Sequence, residues 1–165
     1  MRTALAVVLC CFQASVATAA PVQGAAGRDY AETMLLTSDS DHDVRMAAKA
    51  LHRDGAQRPA SLELLAEVVW TACAGKRQLE RDALAWAAKA IGASGQARYA
   101  ALLDYCLGKV DDAKGVRYLS EARSALPAGA GAAFAGGRVN LAQVRDQDVR
   151  AGRPRSAQLV SQFDA

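Results

Sequence analysis

One segment of the sequence occurs twice, and this repeat constrains the fold more than any other feature. Residues 43–51 read Asp-Val-Arg-Met-Ala-Ala-Lys-Ala-Leu, and residues 83–91 read Ala-Leu-Ala-Trp-Ala-Ala-Lys-Ala-Ile, forty positions later. A repeat at this spacing is typical of arrays in which pairs of helices stack side by side. The repeat therefore predicts an all-α fold, in the form of a short α-solenoid of stacked antiparallel helix pairs.

The amino-acid composition agrees with a helical array. Alanine occupies 38 of the 165 positions, whereas aromatic residues make up only 5% of the chain. Alanine has the highest helix propensity, because it loses no side-chain entropy in a helix. A chain of this length can also bury a core of its own without a structural metal. We therefore expect one helical domain.

Residues 1–19 carry the pattern of a secretory signal peptide. Arg2 supplies a positive charge, an apolar run covers 4–12, and small residues stand at 17–19. We predict cleavage between Ala19 and Ala20. An uncleaved membrane anchor is the alternative, but so short an apolar run does not span a hydrocarbon core of about 30 Å. The mature chain is expected to be exported, periplasmic or secreted, with no transmembrane segment and a flexible lead over residues 20–27.

Two cysteines, Cys73 and Cys106, remain after the predicted cleavage. An even pair in an oxidising compartment indicates a disulfide. Both cysteines fall near the ends of second helices of neighbouring repeats, so they could face each other. The alternative is a pair of buried free thiols, which behave as small apolar side chains. The sequence leaves both interpretations open.

Apolar periodicity, capping residues and glycine or proline stops predict a helical repeat domain over residues 28–126. Its helices are expected at 28–37, from His42 or Asp43 to about Gly55, from Ser61 to Gly75, from Gln78 to Gly92, from Gly95 to Gly108, and from Asp112 to Leu126. After Pro127 the composition changes to glycine and alanine over 128–137, which predicts a mobile linker. A further helix is expected at 139–149, within a C-terminal tail of low order that completes residues 127–165.

Residues 35–51, Leu-Leu-Thr-Ser-Asp-Ser-Asp-His-Asp-Val-Arg-Met-Ala-Ala-Lys-Ala-Leu, resemble bacterial HEAT repeats. In those repeats a loop of Asp and small residues leads into a helix with Val-Arg, Ala-Ala and a terminal Ala-Leu. The second copy departs from this pattern at residues 83–85, and the third, around 115–126, keeps only Val116-Arg117. The resemblance covers residues 28–126. It implies an α-solenoid that binds another macromolecule, and HEAT units share no catalytic residues.

The repeat also suggests where a partner could bind. Lys49 and Lys89 are equivalent in the two copies, and with Arg45 and Arg81 they predict a basic ladder for an acidic protein partner. A solvated face with no partner is the alternative. Trp86 aligns with Met46, so we interpret it, like Trp70, as a residue that fills the helical core rather than one that lines a ligand cleft.

No motif for catalysis or for a cofactor occurs in the sequence, so we expect no enzymatic activity and no cofactor. Asp39, Asp41 and Asp43 alternate like the first ligands of a calcium loop. However, Val44 and Ala50 stand where such a loop needs Gly and Glu. We therefore interpret the aspartates as helix-capping residues and expect no metal.

The charge distribution bears on the remaining partners. The net charge of +3 comes from 20 basic and 17 acidic residues spread along the chain, which does not favour a nucleic-acid surface. A second hypothesis for function is binding to the cell envelope. In that hypothesis the basic tail at residues 138–155 attracts anionic lipid or polysaccharide.

Overall fold

The computed structural model describes residues 30–129 and 132–150, and within these ranges the chain is helical with no strand. This confirms the all-α prediction. The seven α-helices are α1 Tyr30–Leu36, α2 Asp41–Asp54, α3 Pro59–Cys73, α4 Arg81–Ala93, α5 Ala100–Leu107, α6 Ala113–Ala125 and α7 Leu141–Arg150. The predicted signal peptide, its cleavage site at Ala19 and Ala20, and the lead over 20–27 lie outside the described residues.

Helix α2 begins where the sequence places a run of capping residues. The Ser40 hydroxyl accepts a hydrogen bond from the backbone N–H of Asp43, at 3.4 Å, and Asp41 and Asp43 lie in the first turn. The Ser38 hydroxyl in turn donates to a carboxylate oxygen of Asp43, at 2.7 Å. These contacts satisfy an amide at the helix start and place negative charge near its positive end. The capping side chain is thus that of Ser40, and the aspartates contribute charge in the first turn.

Helix α3 begins two residues before the predicted cap. Pro59 is its first residue, and Ser61 lies buried inside the first turn. Proline suits the first position of a helix because its fixed φ is already helical and no partner for its nitrogen is needed there. Pro59 therefore both prevents α2 from continuing and starts α3.

The helices form two layers. In the first layer α2 packs against α4 and α4 packs against α6, while α1, α3 and α5 pack behind them. The duplicated segments are thus neighbours in one layer. Small residues allow this close packing: Ala48 and Ala88 are fully buried, and a Cβ on Gly92 would lie 2.9 Å from the Cα of Ala122 in α6.

The core between the layers is aliphatic. Its largest fully buried apolar side chains are Leu36, Leu51, Leu62, Leu64, Leu65, Ile91, Leu103 and Leu119, together with Tyr99. Burial raises the pKa of Tyr99 to about 12, while the neighbouring Arg98 acts in the opposite direction. A disulfide joins Cys73 at the end of α3 to Cys106 in α5, with the two Cα atoms 5.2 Å apart. The structure therefore holds the bonded form of the cysteine pair.

The chain after α6 differs from the predicted linker and tail. The backbone N–H of Phe134 donates to the carbonyl of Arg98 at 2.8 Å, and that of Gly137 donates to the carboxylate of Glu67 at 2.7 Å. Helix α7 then packs on α1 and α3, with Val144 buried in the core. We name residues 132–140 the strap, because they pass Arg98 and Tyr99, just before α5, and then Glu67 and Trp70 in α3, and lead into α7.

The mobile linker and low-order tail over 127–165 stay a prediction, and in the structure residues 132–150 contact the helical core. At Gly136 and Gly137 the absence of a side chain lets the backbone lie against the Trp70 ring. The apolar residues Phe134, Val139, Leu141 and Val144 bind the segment to the core. The predicted helix at 139–149 corresponds to α7, and residues 151–165 lie outside the described part of the chain.

Candidate partner-binding face

The exposed side of the α2, α4 and α6 layer carries a row of alternating cations and aromatic rings. The ammonium groups of Lys49 and Lys89 lie 5.3 and 4.8 Å from the centre of the Trp86 ring. Lys89 also lies 4.7 Å from the centre of the Tyr118 ring, and the Arg117 guanidinium lies 4.6 Å from the same ring. These distances are within the range of cation–π attraction. We name these five residues the cation–π row.

The helical repeat positions this row. Met46, Trp86 and Tyr118 are each the sixth residue of their helices, α2, α4 and α6. Lys49 and Lys89 each follow three residues later, which places them on the same helix face as the sixth residue. The Trp86 ring therefore contacts one lysine from its own helix, Lys89, and one from the neighbouring helix α2, Lys49.

His52 extends the row. Its ring meets the Trp86 ring edge to face, with the ring centres 5.8 Å apart and the planes at 68°. Its Nδ1 donates a hydrogen bond to the carbonyl oxygen of Lys89, at 3.3 Å. His52 thus links α2 to α4 across the exposed surface and supports one edge of the Trp86 ring.

A groove of about 490 Å³ lies beside the row. Its lining combines one carboxylate, which pairs with Arg58, with apolar, basic and aromatic side chains: Glu32, Leu35, Met46, Ala47, Lys49, Ala50, His52, Arg53 and Trp86. Because the Glu32 carboxylate already has a cationic partner, the apolar and basic side chains of the lining suit a segment that carries both an apolar and an acidic side chain.

The structure brings together only two of the four residues predicted to form the basic ladder. Lys49 and Lys89 meet at Trp86, whereas Arg45 donates to the His42 ring nitrogen at 3.1 Å. Arg81 pairs with Asp112 at 3.2 Å. Both arginines lie nearer the N-terminal ends of their helices, where acidic residues collect to complement the helix dipoles.

These N-terminal ends form a separate group of opposite charges. Asp82 accepts a hydrogen bond from Lys114 at 2.8 Å. The hydrogen bond and charge of Lys114 lower the pKa of Asp82, and the charges of Arg45 and Arg81 act in the same direction. The arginines thus belong to an internally balanced charge cluster rather than to the row.

Trp86 and Trp70 are both half-buried and pack against the core, and Trp86 also contacts Lys49 and Lys89. Tyr118 and His52 also belong to this surface, although their positions in the sequence do not predict it. Tyr118 has the same position in α6 as Trp86 has in α4, so an alignment of these two helices would have identified it. The sequence repeat does not give that alignment, because α6 begins 32 residues after α4, whereas α4 begins 40 residues after α2.

In residues 30–129 and 132–150 no group of three or more His, Cys, Asp or Glu side chains is placed to hold a metal ion. None of the described helices is long and apolar enough to cross a membrane. In the basic tail, Arg145 contacts the Thr37 carbonyl at 3.4 Å and Asp39 at 3.3 Å, while residues 151–155 lie outside the description.

Comparison with protein-family models, with curated proteins and with solved structures finds no match for this chain.

Proposed function

We propose that this chain is an exported, HEAT-like α-solenoid that acts as a protein-interaction module without catalysis. Its α2, α4 and α6 face binds an acidic segment of a protein partner. The observation that carries the proposal is the cation–π row, in which Trp86 lies between Lys49 and Lys89 on the exposed side of the layer.

Two physical properties of the row favour partner binding. The lysine ammonium groups rest over aromatic rings, so less side-chain entropy is lost when they pair with a carboxylate. Trp and Tyr contribute strongly to binding when a partner covers them, because their large rings leave water. A row that offers both groups side by side can contribute charge attraction and apolar burial in the same small area.

The rest of the fold favours the same face. The strap and α7 pack on α3 and α1 in the other layer, whereas Lys49 is exposed and Trp86 and Lys89 are half-buried on this face. The side-by-side packing of α2, α4 and α6 is the arrangement expected of first helices in a solenoid. The Cys73–Cys106 disulfide agrees with an exported chain, since such bonds persist in oxidising compartments.

The test is affinity capture from the native host with two charge-reversal variants. Lys89→Glu reverses the charge at the centre of the row. Lys109→Glu makes the same charge change at an exposed lysine beside Tyr105, outside the row. We expect Lys89→Glu to weaken capture of an acidic partner by about tenfold or more, and Lys109→Glu to leave capture close to that of the unsubstituted chain. Equal capture by all three proteins would contradict the proposal.

A further inference from the structure

The cation–π row advances across the three helices in nearly equal steps. The Lys49 ammonium lies 5.3 Å from the centre of the Trp86 ring, and that centre lies 4.8 Å from the Lys89 ammonium. The next two steps, from Lys89 to the centre of the Tyr118 ring and from there to the Arg117 guanidinium, measure 4.7 and 4.6 Å. Cations and rings therefore alternate at intervals of about 5 Å.

The two lysines of the row are available to a carboxylate from outside the chain. In the part of the chain that the structure describes, neither Lys49 nor Lys89 forms an ion pair. The Arg117 guanidinium lies 3.7 Å from the Glu121 carboxylate, but these side chains are 61% and 59% exposed, so the pair contributes little. A partner carboxylate can therefore reach either lysine without displacing one from this chain.

The length of the steps indicates which backbone conformation fits the row. On an α-helix, side chains three or four residues apart share a face at about 5–6 Å. In an extended strand the nearest side chains on one face are two residues apart, at about 6.6 Å, because each residue rises about 3.3 Å. In a polyproline II helix the corresponding repeat is about 9.3 Å, three residues of about 3.1 Å each. Steps of 4.6 to 5.3 Å are therefore closest to the spacing on an α-helix.

We propose that the acidic segment of the partner is an amphipathic α-helix, an inference that rests on the proposed function. The helix lies across α2, α4 and α6, and one of its faces alternates acidic and apolar residues at positions i, i+4, i+7, i+11 and i+14. Its carboxylates pair with Lys49, Lys89 and Arg117, while its apolar side chains cover the Trp86 and Tyr118 rings. The pattern spans about fifteen residues, roughly four helical turns. Proteins commonly bind an amphipathic helix through anchors at such intervals.

The test titrates synthetic helical peptides into the full chain. The alternating peptide carries glutamate at i, i+7 and i+14 and leucine at i+4 and i+11, on a background of alanine and glutamine. The matched control has the same composition and the same five positions, but glutamate occupies i, i+4 and i+7 and leucine occupies i+11 and i+14. Both peptides are labelled, and circular dichroism checks that their helix contents agree. We expect fluorescence anisotropy to show the alternating peptide binding at least about tenfold more tightly than the control.

Two protein variants and a third peptide define the other outcomes. Lys89→Glu is expected to weaken the alternating peptide by about tenfold or more, and Lys109→Glu to leave its affinity close to that of the unsubstituted chain. The alternating peptide with one proline in its middle, which breaks the helix, is expected not to bind. Binding of the proline peptide as tightly as its parent overturns the proposal.

The remaining outcomes separate this proposal from the proposed function. Equal binding of the alternating and control peptides, with both weakened by Lys89→Glu, overturns the alternating helix but supports a face that binds acidic segments. Binding that Lys89→Glu does not weaken overturns both. If neither peptide binds, the alternating helix is overturned, and capture from the native host decides the proposed function by itself.

Discussion

Gly92 offers a direct way to perturb the contact between α4 and α6. Substitution by alanine adds one methyl group at a point where its carbon would lie 2.9 Å from the Cα of Ala122, 3.0 Å from its carbonyl oxygen and 3.1 Å from its Cβ. Two of these three atoms belong to the backbone and the third is fixed to it. No side-chain rotation can therefore relieve the overlap, and the two helices have to move apart.

The magnitude follows from two opposing effects. In a helix that packs against nothing, Gly→Ala stabilises by about 1 kcal/mol, because alanine has the higher helix propensity. Overpacking of a tight contact costs about 1–3 kcal/mol, and the cost is greatest where backbone has to move. We therefore expect Gly92→Ala to lower the free energy of unfolding by about 1–2 kcal/mol, the opposite sign to an ordinary helix substitution.

Urea unfolding followed by circular dichroism measures this difference, and Gly108→Ala is the matched control. Gly108 follows α5 with a φ of −78°, and a Cβ there would meet its nearest atom, the Tyr105 carbonyl oxygen, at 3.5 Å. The control is expected to be neutral or to stabilise by up to about 1 kcal/mol. A Gly92→Ala protein at least as stable as the unsubstituted chain would refute the close contact between α4 and α6.

Two further predictions concern the buried groups behind the partner-binding face. Burial raises the pKa of Glu67 above its ordinary 4.5, against backbone hydrogen bonds from Gly137, Val139 and Arg138 and the charge of Lys76. Because the pKa is higher in the folded state, the folded chain holds the Glu67 proton more tightly than the unfolded chain does. The contribution of Glu67 to the free energy of unfolding is therefore fully present below pH 4.5 and is lost as the pH rises through the folded pKa. Glu67→Gln keeps an acceptor for Gly137 and has no charge, so it should gain stability relative to the unsubstituted chain between pH 4 and pH 8; a difference that does not change with pH would contradict this. Reduction of the Cys73–Cys106 bond, which closes a loop with a sequence separation of 33, should cost about 3–4 kcal/mol in urea unfolding, and mass spectrometry after alkylation without reductant should find both sulfurs blocked.

The sequence predicted most of the helical layer because its signals are local. Ser40, just before α2, accepts a hydrogen bond from an amide at the helix start, and the duplicated Ala-Ala-Lys-Ala segments fill equivalent places in α2 and α4. The start of α3 was misplaced by two residues because Ser61 and Pro59 are both acceptable near a helix start. In the structure Pro59 takes the first position.

The strap could not be predicted, because its stability comes from contacts distant in sequence. Glycine at 136 and 137 is compatible with a mobile linker and also with close approach to a ring, and composition does not distinguish them. Only the position of Trp70, 66 residues earlier, decides the outcome. The cation–π row depends in the same way on how three helices align, so Lys49 and Lys89 could be paired by their repeat positions while Tyr118 was missed.

The most direct test of the partner-binding face is site-specific photo-crosslinking in the native host. A photoreactive amino acid at Ala50, in the groove beside Trp86, is compared with the same group at Ala142, an exposed position on α7. We predict a crosslinked partner from Ala50 that disappears on Lys89→Glu substitution, and no such product from Ala142. A partner captured from Ala142 and not from Ala50 would contradict the account.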